Sequence, residues 1–494
     1  MNSLPRHFLR VIGPGLAALL ASCAVGPDFL APAPPDVERF TPEPTVSPGG
    51  GQRFRDGVEV PARWWEAFRS ENLDDLVDEA LARNPTLEAA DAAIRVAQFN
   101  AFAGSGAFFP QVSLGSNSSY NLASGDATNS TVVQTPYSFF TKQVQINYTL
   151  DIWGANWRNV ESLDAIRNQQ VYQKQAAHLT LAANVVKAAI EEASLRGQIA
   201  ATRRVIALEE ERLALLQRQL EYGVVAGTDI LSQQTILDQT RQTLPPLESR
   251  LAQQRNLLTA LAGRYPSDEV DETFALAQFS LPRDLPLSLP SKLVAQRPDI
   301  RDAKANLHSA SALIGVAVAA RLPNVTLSAN GATSAFSLAQ LLQPGTFGYA
   351  LAGNVAQTAF DGMTLYNKQK AAEASFDQAE AQYRDTVVKA FQNVADVLRA
   401  LQSDARSVQS ARAAEGTAKK YLDNIRWRLN FGEVSQLAVV DAQRAYLGAA
   451  NSRILSEAQR LTDTVALFVA LGGGWESREE ATPSQSEKAL VKPG

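Results

Sequence analysis

"KQVQINYTLD" (Lys142–Asp151) alternates from Gln143 to Leu150. Val144, Ile146, Tyr148 and Leu150 fall on one side of an extended chain, and Gln143, Gln145, Asn147 and Thr149 on the other. Successive side chains of a strand point to opposite faces, so this period of two defines a strand with one apolar face and one polar, uncharged face. The full strand is read as Tyr137–Asp151. Three further segments follow the same rule: Phe109 to about Tyr120, Leu322 to about Ser334, and Phe347–Asp361. In "FPQVSLGSNSSY" the polar set is Ser and Asn rather than charge. Runs of about 10–15 residues suffice for a tilted crossing of a bilayer. Four strands cannot close a barrel, and hydrocarbon does not tolerate open sheet edges. If the strands span lipid, several copies must pool them. Two copies supply about eight strands, a barrel plugged by its own side chains; three supply about twelve, enough to be hollow. A soluble sandwich built from the same strands is the alternative.

Two proline-free stretches dominate the rest, Ala155–Glu221 and Thr364–Asn430. As helices each reaches about 100 Å, far more than a membrane and suited to a rod across a periplasm. Ala372, Phe376, Ala379, Tyr383, Thr386 and Ala390 step by four and three, as do Leu181, Val185 and Ala188, then Leu195 and Ile199, with Glu192 at the intervening seam position. This is coiled-coil spacing, with much alanine to allow close approach. Returning helices are expected over Asp229–Ala262 and Ser435–Leu471. A kink or restart is expected at Pro245-Pro246, because proline removes a helical hydrogen bond and clashes with the preceding turn. Shorter helices begin at Pro85 and Pro298, where proline suits the first turn.

These elements occur twice. "ALARNPTLEAADAAIRVAQ" from Ala80 echoes "LVAQRPDIRDAKANLHSAS" from Leu293, and Pro85/Pro298 and Pro110/Pro323 share an offset of 213. Leu150-Asp151 answers Phe360-Asp361, and "LEYGVV" (220–225) answers "LNFGEV" (429–434). Four matches in one order indicate two structural repeats.

The N-terminus is of another kind. Arg6, His7 and Arg10 precede a short apolar run from Val11 to Leu20, then small residues and Cys23, the chain's one cysteine. This is the layout of a secretory signal, and the run is too short to span a bilayer. Leu20-Ala21-Ser22-Cys23 resembles the bacterial lipobox, in which the cysteine becomes the first mature residue and carries lipid; an ordinary signal peptide that contains a cysteine is the alternative. Pro-, Gly-, Ser- and Thr-rich residues 31–50 cannot build a core and read as an extended tether.

With 45% hydrophobic and 20% charged residues, the composition is that of a folded protein, and a net charge of −5 does not point to nucleic acid. One Cys and three His (His7, His178, His308) leave little for a zinc site, and His178 and His308 each sit singly in a helical pattern, as surface or packing residues rather than ligands or general bases. No nucleotide-binding glycine fingerprint or catalytic cluster is present, and no paired carboxylates sit on strand ends as a hydrolase needs. No metal or cofactor is expected, and no enzyme activity.

"CAVGPDF" (23–29), "TLPPLESRLAQQRNLLTALAG" (243–263), "LPSKLVAQRPDIRDAKANL" (289–307), "VVDAQRAYL" (439–447) and "LGGGW" (471–475) together resemble the outer-membrane factor lipoproteins of tripartite efflux systems, the TolC-like channels of the NodT branch. The likeness covers nearly the whole mature chain. It implies a mainly α channel-tunnel with a small β part. In it a homotrimer forms a twelve-stranded β-barrel, four strands per chain, continued by a long periplasmic α-helical barrel. It implies a signal peptide at 1–22, a lipidated tether at 23–60, repeats at 61–279 and 280–475, and a disordered tail at 476–494. It implies diacylglycerol and an N-acyl chain on Cys23, contact with outer-membrane lipid, and docking to a periplasmic adaptor and an inner-membrane pump. The helix-tip turns would lie at Tyr222 and Gly223 and at Phe431 and Gly432. The periplasmic gate would consist of Leu437, Asp441 and Arg444. Leu437 would form an apolar ring and the two charges salt links, an Asp ring favouring cations. An ordinary i,i+3 surface pair of Asp441 and Arg444 is the alternative. Export of small toxic compounds is the expected function. A type I protein-secretion duct and a non-conducting trimeric stalk or adhesin are the alternatives.

Overall fold

The computed structural model describes residues 24–44, 46–122 and 136–473, the Gln436 side chain excepted. Cys23, the loop 123–135 and the tail from 474 lie outside the described residues. The described residues form two compact units, one within 1–32, 93–170 and 303–383, the other within 33–92, 171–302 and 384–494. Each unit therefore draws on both sequence repeats.

The first unit holds a four-stranded antiparallel sheet. Its strands are β2 (Gln111–Asn121), β3 (Tyr137–Leu150), β5 (Asn324–Ala335) and β6 (Phe347–Ala356), in the order β2-β3-β5-β6. Each repeat supplies one hairpin, and β3 and β5 join the two in register from Leu150↔Val325 to Phe140↔Ala335. The sheet has two distinct faces. Opposed residues Val112, Ile146, Ala329 and Leu351 form one row across all four strands, and Leu114, Val144, Gly331 and Tyr349 the next. On the reverse face the rows are Gln111, Asn147, Ser328 and Ala352, then Ser113, Gln145, Asn330 and Ala350. β6 stops at Ala356, five residues short of the expected Asp361, because its partner strand begins at Asn324, just after Pro323. Asp361 instead starts the next helix, its carboxylate accepting from the backbone N–H groups of Thr364 and Leu365.

The second unit contains most of the helical core. β1 (Arg53–Asp56) pairs in parallel with β4 (Asp284–Leu287) beside an aromatic knot, in which Trp64 stacks on Phe468 at 5.4 Å and Phe68 meets the same ring edge-on at 6.3 Å. Rings this buried contribute about 2–3 kcal/mol each. α1 (Glu71–Arg83) and α6 (Pro290–Gln296) bury Leu73, Leu76 and Leu293 against it. α2 (Pro85–Ser105) and α7 (Pro298–Ala319) start at the two repeat prolines.

α3 (Ala155–Glu221) and α8 (Thr364–Asn430) have 67 residues each. The seam of α3 is dry at Leu181, Val185, Ala188, Leu195 and Ile199. Glu192, fully buried in it, is held by Arg196 at 2.7 Å and Arg255 at 3.0 Å. The second repeat returns as one helix, α9 (Gln436–Ala470); the first returns as two, α4 (Gly227–Gln242) and α5 (Leu244–Leu261). The restart falls at Thr243, just ahead of the proline pair. Pro245 and Pro246 lack the N–H groups that would have reached back to Arg241 and Gln242, and at the junction Thr243 Oγ1 donates to the Thr240 carbonyl at 2.7 Å.

Candidate functional site: the helix tips and the N-terminal clasp

Both long helices end on the same device. Gly223 (φ +69°) and Gly432 (φ +71°) adopt the left-handed conformation. Val224 N–H then reaches Gln219 O and Gly223 N–H reaches Leu220 O; Glu433 to Arg428 and Gly432 to Leu429 repeat the pattern. This pair of bonds is the Schellman motif, which needs a residue free of Cβ strain at the glycine. The first return helix is opened by Asp229, whose carboxylate accepts from Ala226 N–H at 3.1 Å. Tyr222, Val224, Phe431 and Trp427 are exposed around the turns, with Trp427 and Phe431 in ring contact at 4.6 Å.

Leu437, Asp441 and Arg444 stand on the first two turns of α9. At spacings of four and three they share one face, and all three are exposed. Leu437 is 64% exposed, as Leu231 of the other tip's return helix is 69% exposed. Among the described residues Arg444 is not joined to Asp441. Its guanidinium donates to Gln239 Oε1 on α4 at 2.8 Å, so the bond links the return helices of the two repeats. The i,i+3 surface pair is thus replaced by a cross-repeat contact. Gln239 was not legible as a site residue, since a glutamine on a polar helix face carries no signal of its own.

Glu209 of α3 is also absent from any sequence-level candidate set. It is 2% exposed. Its Oε1 accepts from Thr240 Oγ1 at 3.1 Å, and its Oε2 is buried without a hydrogen-bond partner. Burial pushes the carboxyl up to about 7, against the opposing pull of the Thr240 hydrogen bond and the Arg444 charge.

A clasp in the first unit gives a role to the residues that follow Cys23. Val25 N–H donates to Trp153 O at 3.0 Å. Arg158, its side chain 6% exposed, donates to Asp28 at 2.7 Å and to Glu161 at 2.8 Å. Glu161 meets His308 at 2.9 Å, and the His308 ring stacks on Phe29 with centroids 4.3 Å apart. Burial works against the charge on Glu161, yet Arg158 and His308 hold its carboxyl below the usual range. Gly26 (φ +98°) lies so close to Gly315 that a Cβ on it would stand 2.4 Å from the Gly315 Cα. Within "AVGPDF" the backbone of Val25 and Gly26 and the side chains of Asp28 and Phe29 are engaged, so this part of the extended segment is seated. It is seated again in the second unit, where Phe40 meets Phe391 at 5.5 Å and Arg460 donates to Gln52 at 2.9 Å.

Among the described residues no helix is long and apolar enough to cross a membrane. A sheet with one apolar and one polar face, on a frame of paired long helices occurring twice, defines a TolC-like outer-membrane channel subunit. The chain belongs to the outer membrane efflux protein family, whose model matches residues 76–264 and 289–473. It is 29% identical over 490 residues to the pyoverdine export outer membrane protein OpmQ of Pseudomonas putida, covering 96% of this chain and 99% of that protein. It is 24% identical over 468 residues to the cation efflux system protein CusC of Escherichia coli, covering 93% and 98%. The fold superposes on the CmeC outer membrane channel of Campylobacter jejuni with a TM-score of 0.84 at 20% identity, over 94% of this chain and 98% of that one. The family is one of transport channels, and this chain is an outer-membrane efflux channel component.

Proposed function

We propose that three copies of this chain close their sheets into one twelve-stranded barrel that carries small toxic compounds out of the cell, with Leu437, Asp441 and Arg444 as its periplasmic gate. The observation that carries this reading is the sheet: an exposed apolar face, an uncharged polar face, and two unpaired edges on β2 and β6. Leu114, Leu351, Tyr349 and Val355 are each more than two-thirds exposed. Each such side chain gains about 1.5–3 kcal/mol on leaving water, which lipid supplies. β2 and β6 run in opposite directions, so the edges of neighbouring copies meet antiparallel and no edge is left in hydrocarbon.

The polar reverse face then lines the duct with Ser, Thr, Asn and Gln, which hold water and select little. Relatives named for pyoverdine and for cations support a duct in which cargo is chosen by the inner-membrane pump. The exposed aromatic and aliphatic residues of the tip turns suit docking to a periplasmic adaptor. Diacylglycerol and an N-acyl chain on Cys23 belong to the same proposal. The clasp supports it, because it holds the residue next to Cys23 against the end of β3, where lipid would lie along the outer wall. Asp441, with no ion-pair partner among the described residues, is available to form a ring of three across the threefold axis.

Single-channel recording tests the gate. Leu437→Ala and Asp441→Ala each pass more current than the parent, and unchanged conductance in both removes these residues from the gate. A purified mature chain that stays monomeric and never enters lipid vesicles removes the barrel.

A further inference from the structure

We propose that Glu209 makes the tip of the first repeat respond to periplasmic acidity: its neutral form packs between α3 and α4, and its ionised form draws Arg444 off Gln239. The inference rests on the reading of Arg444 as part of the gate and names a regulator of it.

The geometry is that of a carboxyl packed as a neutral group. One oxygen meets only the Thr240 hydroxyl, whose single hydrogen is shared with the Ile236 carbonyl at 3.1 Å, and the other oxygen has no partner. A buried carboxylate is ordinarily met by two or three donors or by a cation. Gln233, fully buried on α4, spends its amide on the Glu209 backbone carbonyl at 3.4 Å rather than on the carboxyl. The charged groups around the site are few. On α9 there is Arg444, whose charge favours the ionised form. On α4, Arg241 is taken by Glu210 at 2.6 Å and Asp238 at 3.6 Å on the outer surface. On α3 itself, Arg212 is also penalised by burial. Arg444, whose charge already acts on Glu209, is a cation that the ionised carboxyl can recruit, and its present partner is a neutral amide. Burial has moved the carboxyl to about 7, within reach of an acidified or neutral periplasm. The exchange is one proton lost from Glu209 to water and one hydrogen bond moved from Gln239 to Glu209.

The test uses the full mature chain in planar bilayers at about pH 5.5 and about pH 8. The parent is expected to open several-fold more often at the higher pH. Glu209→Gln, which keeps shape and neutrality, is expected to hold the acid level at both. Asp404 is a second carboxyl pushed up to about 7 by burial and by Asp463, far along α8, and Asp404→Asn is expected to keep the parent's pH response. A full pH response in Glu209→Gln, or none in a conducting parent, overturns the inference. A parent with no conductance overturns the channel reading instead. Infrared titration of the detergent-solubilised chain then still judges Glu209: a protonated-carboxyl band lost near neutrality and missing from Glu209→Gln supports the inference, and no such band overturns it.

Discussion

The two helix tips share a backbone and differ in what they bury. An offset of 209, which sets Gly223 on Gly432, also sets Glu209, Gln233 and Thr240 on Ala418, Ala442 and Ala449. The second tip closes over Leu422, Ile425, Val439 and Ala442, an apolar seam needing no particular protonation state. The first closes over Leu216, Ile236 and Leu237 but threads Glu209 and Gln233 between them. A dry seam is held by area and packing, and is indifferent to pH. A seam with a half-satisfied carboxyl is weaker, and its strength follows the proton. The exposed face of Leu437, Asp441 and Arg444, the proposed gate, sits on the apolar tip, with Thr228, Ser232 and Thr235 at the matching positions of the other. In that proposal one repeat presents the gate on a firm support while the other supplies the part that can change.

The largest test of this contrast is Leu422→Ala. Truncation in a close-packed seam costs about 2–5 kcal/mol, and hydrogen exchange should show faster local opening of the second tip with the first unchanged. Equal loosening of both tips would mean that they are one cooperative unit. Next is the pH slope. Glu209 binds its proton more tightly in the fold than in the unfolded chain, so the stabilisation is complete below about pH 4.5 and is lost as pH rises through about 7. Allowing for water reaching the site, the first tip should weaken by about 1–2 kcal/mol across that window while the second stays level. A first tip that grows firmer with rising pH would reverse the assignment. Gly223→Ala and Gly432→Ala should each cost about 1–2 kcal/mol by forcing a Cβ into left-handed backbone, equally in both tips because the turn is shared. Smallest is Arg241→Ala, which removes an exposed pair with Glu210 and should shift local stability by less than about 0.5 kcal/mol.

Much of the architecture was legible from local pattern. The strand at Lys142–Asp151, the uninterrupted 155–221 and 364–430 runs, and the glycines closing both tips each carry their signal within a few residues, because alternation, proline exclusion and left-handed glycine are local constraints. The restart at Thr243 was legible to within two residues, since the proline pair dictates which hydrogen bonds are lost. The partners of the charged side chains were not. Arg444 reaches Gln239 across 205 positions of sequence, and Arg158 reaches Asp28 across 130.

By itself the sequence determined the list of parts: two repeats, four two-faced strands, two long helices with glycine-capped tips, and a lone cysteine after a signal-like segment. Periodicity and backbone geometry suffice for those, as each follows from residues within one or two turns of one another. Only the tertiary structure decided which polar groups are buried together, that "AVGPDF" is clasped by Arg158, and that Glu209 lies half-satisfied near Arg444. Burial and hydrogen-bond pairing depend on what the other repeat brings alongside, and no local pattern encodes that neighbour.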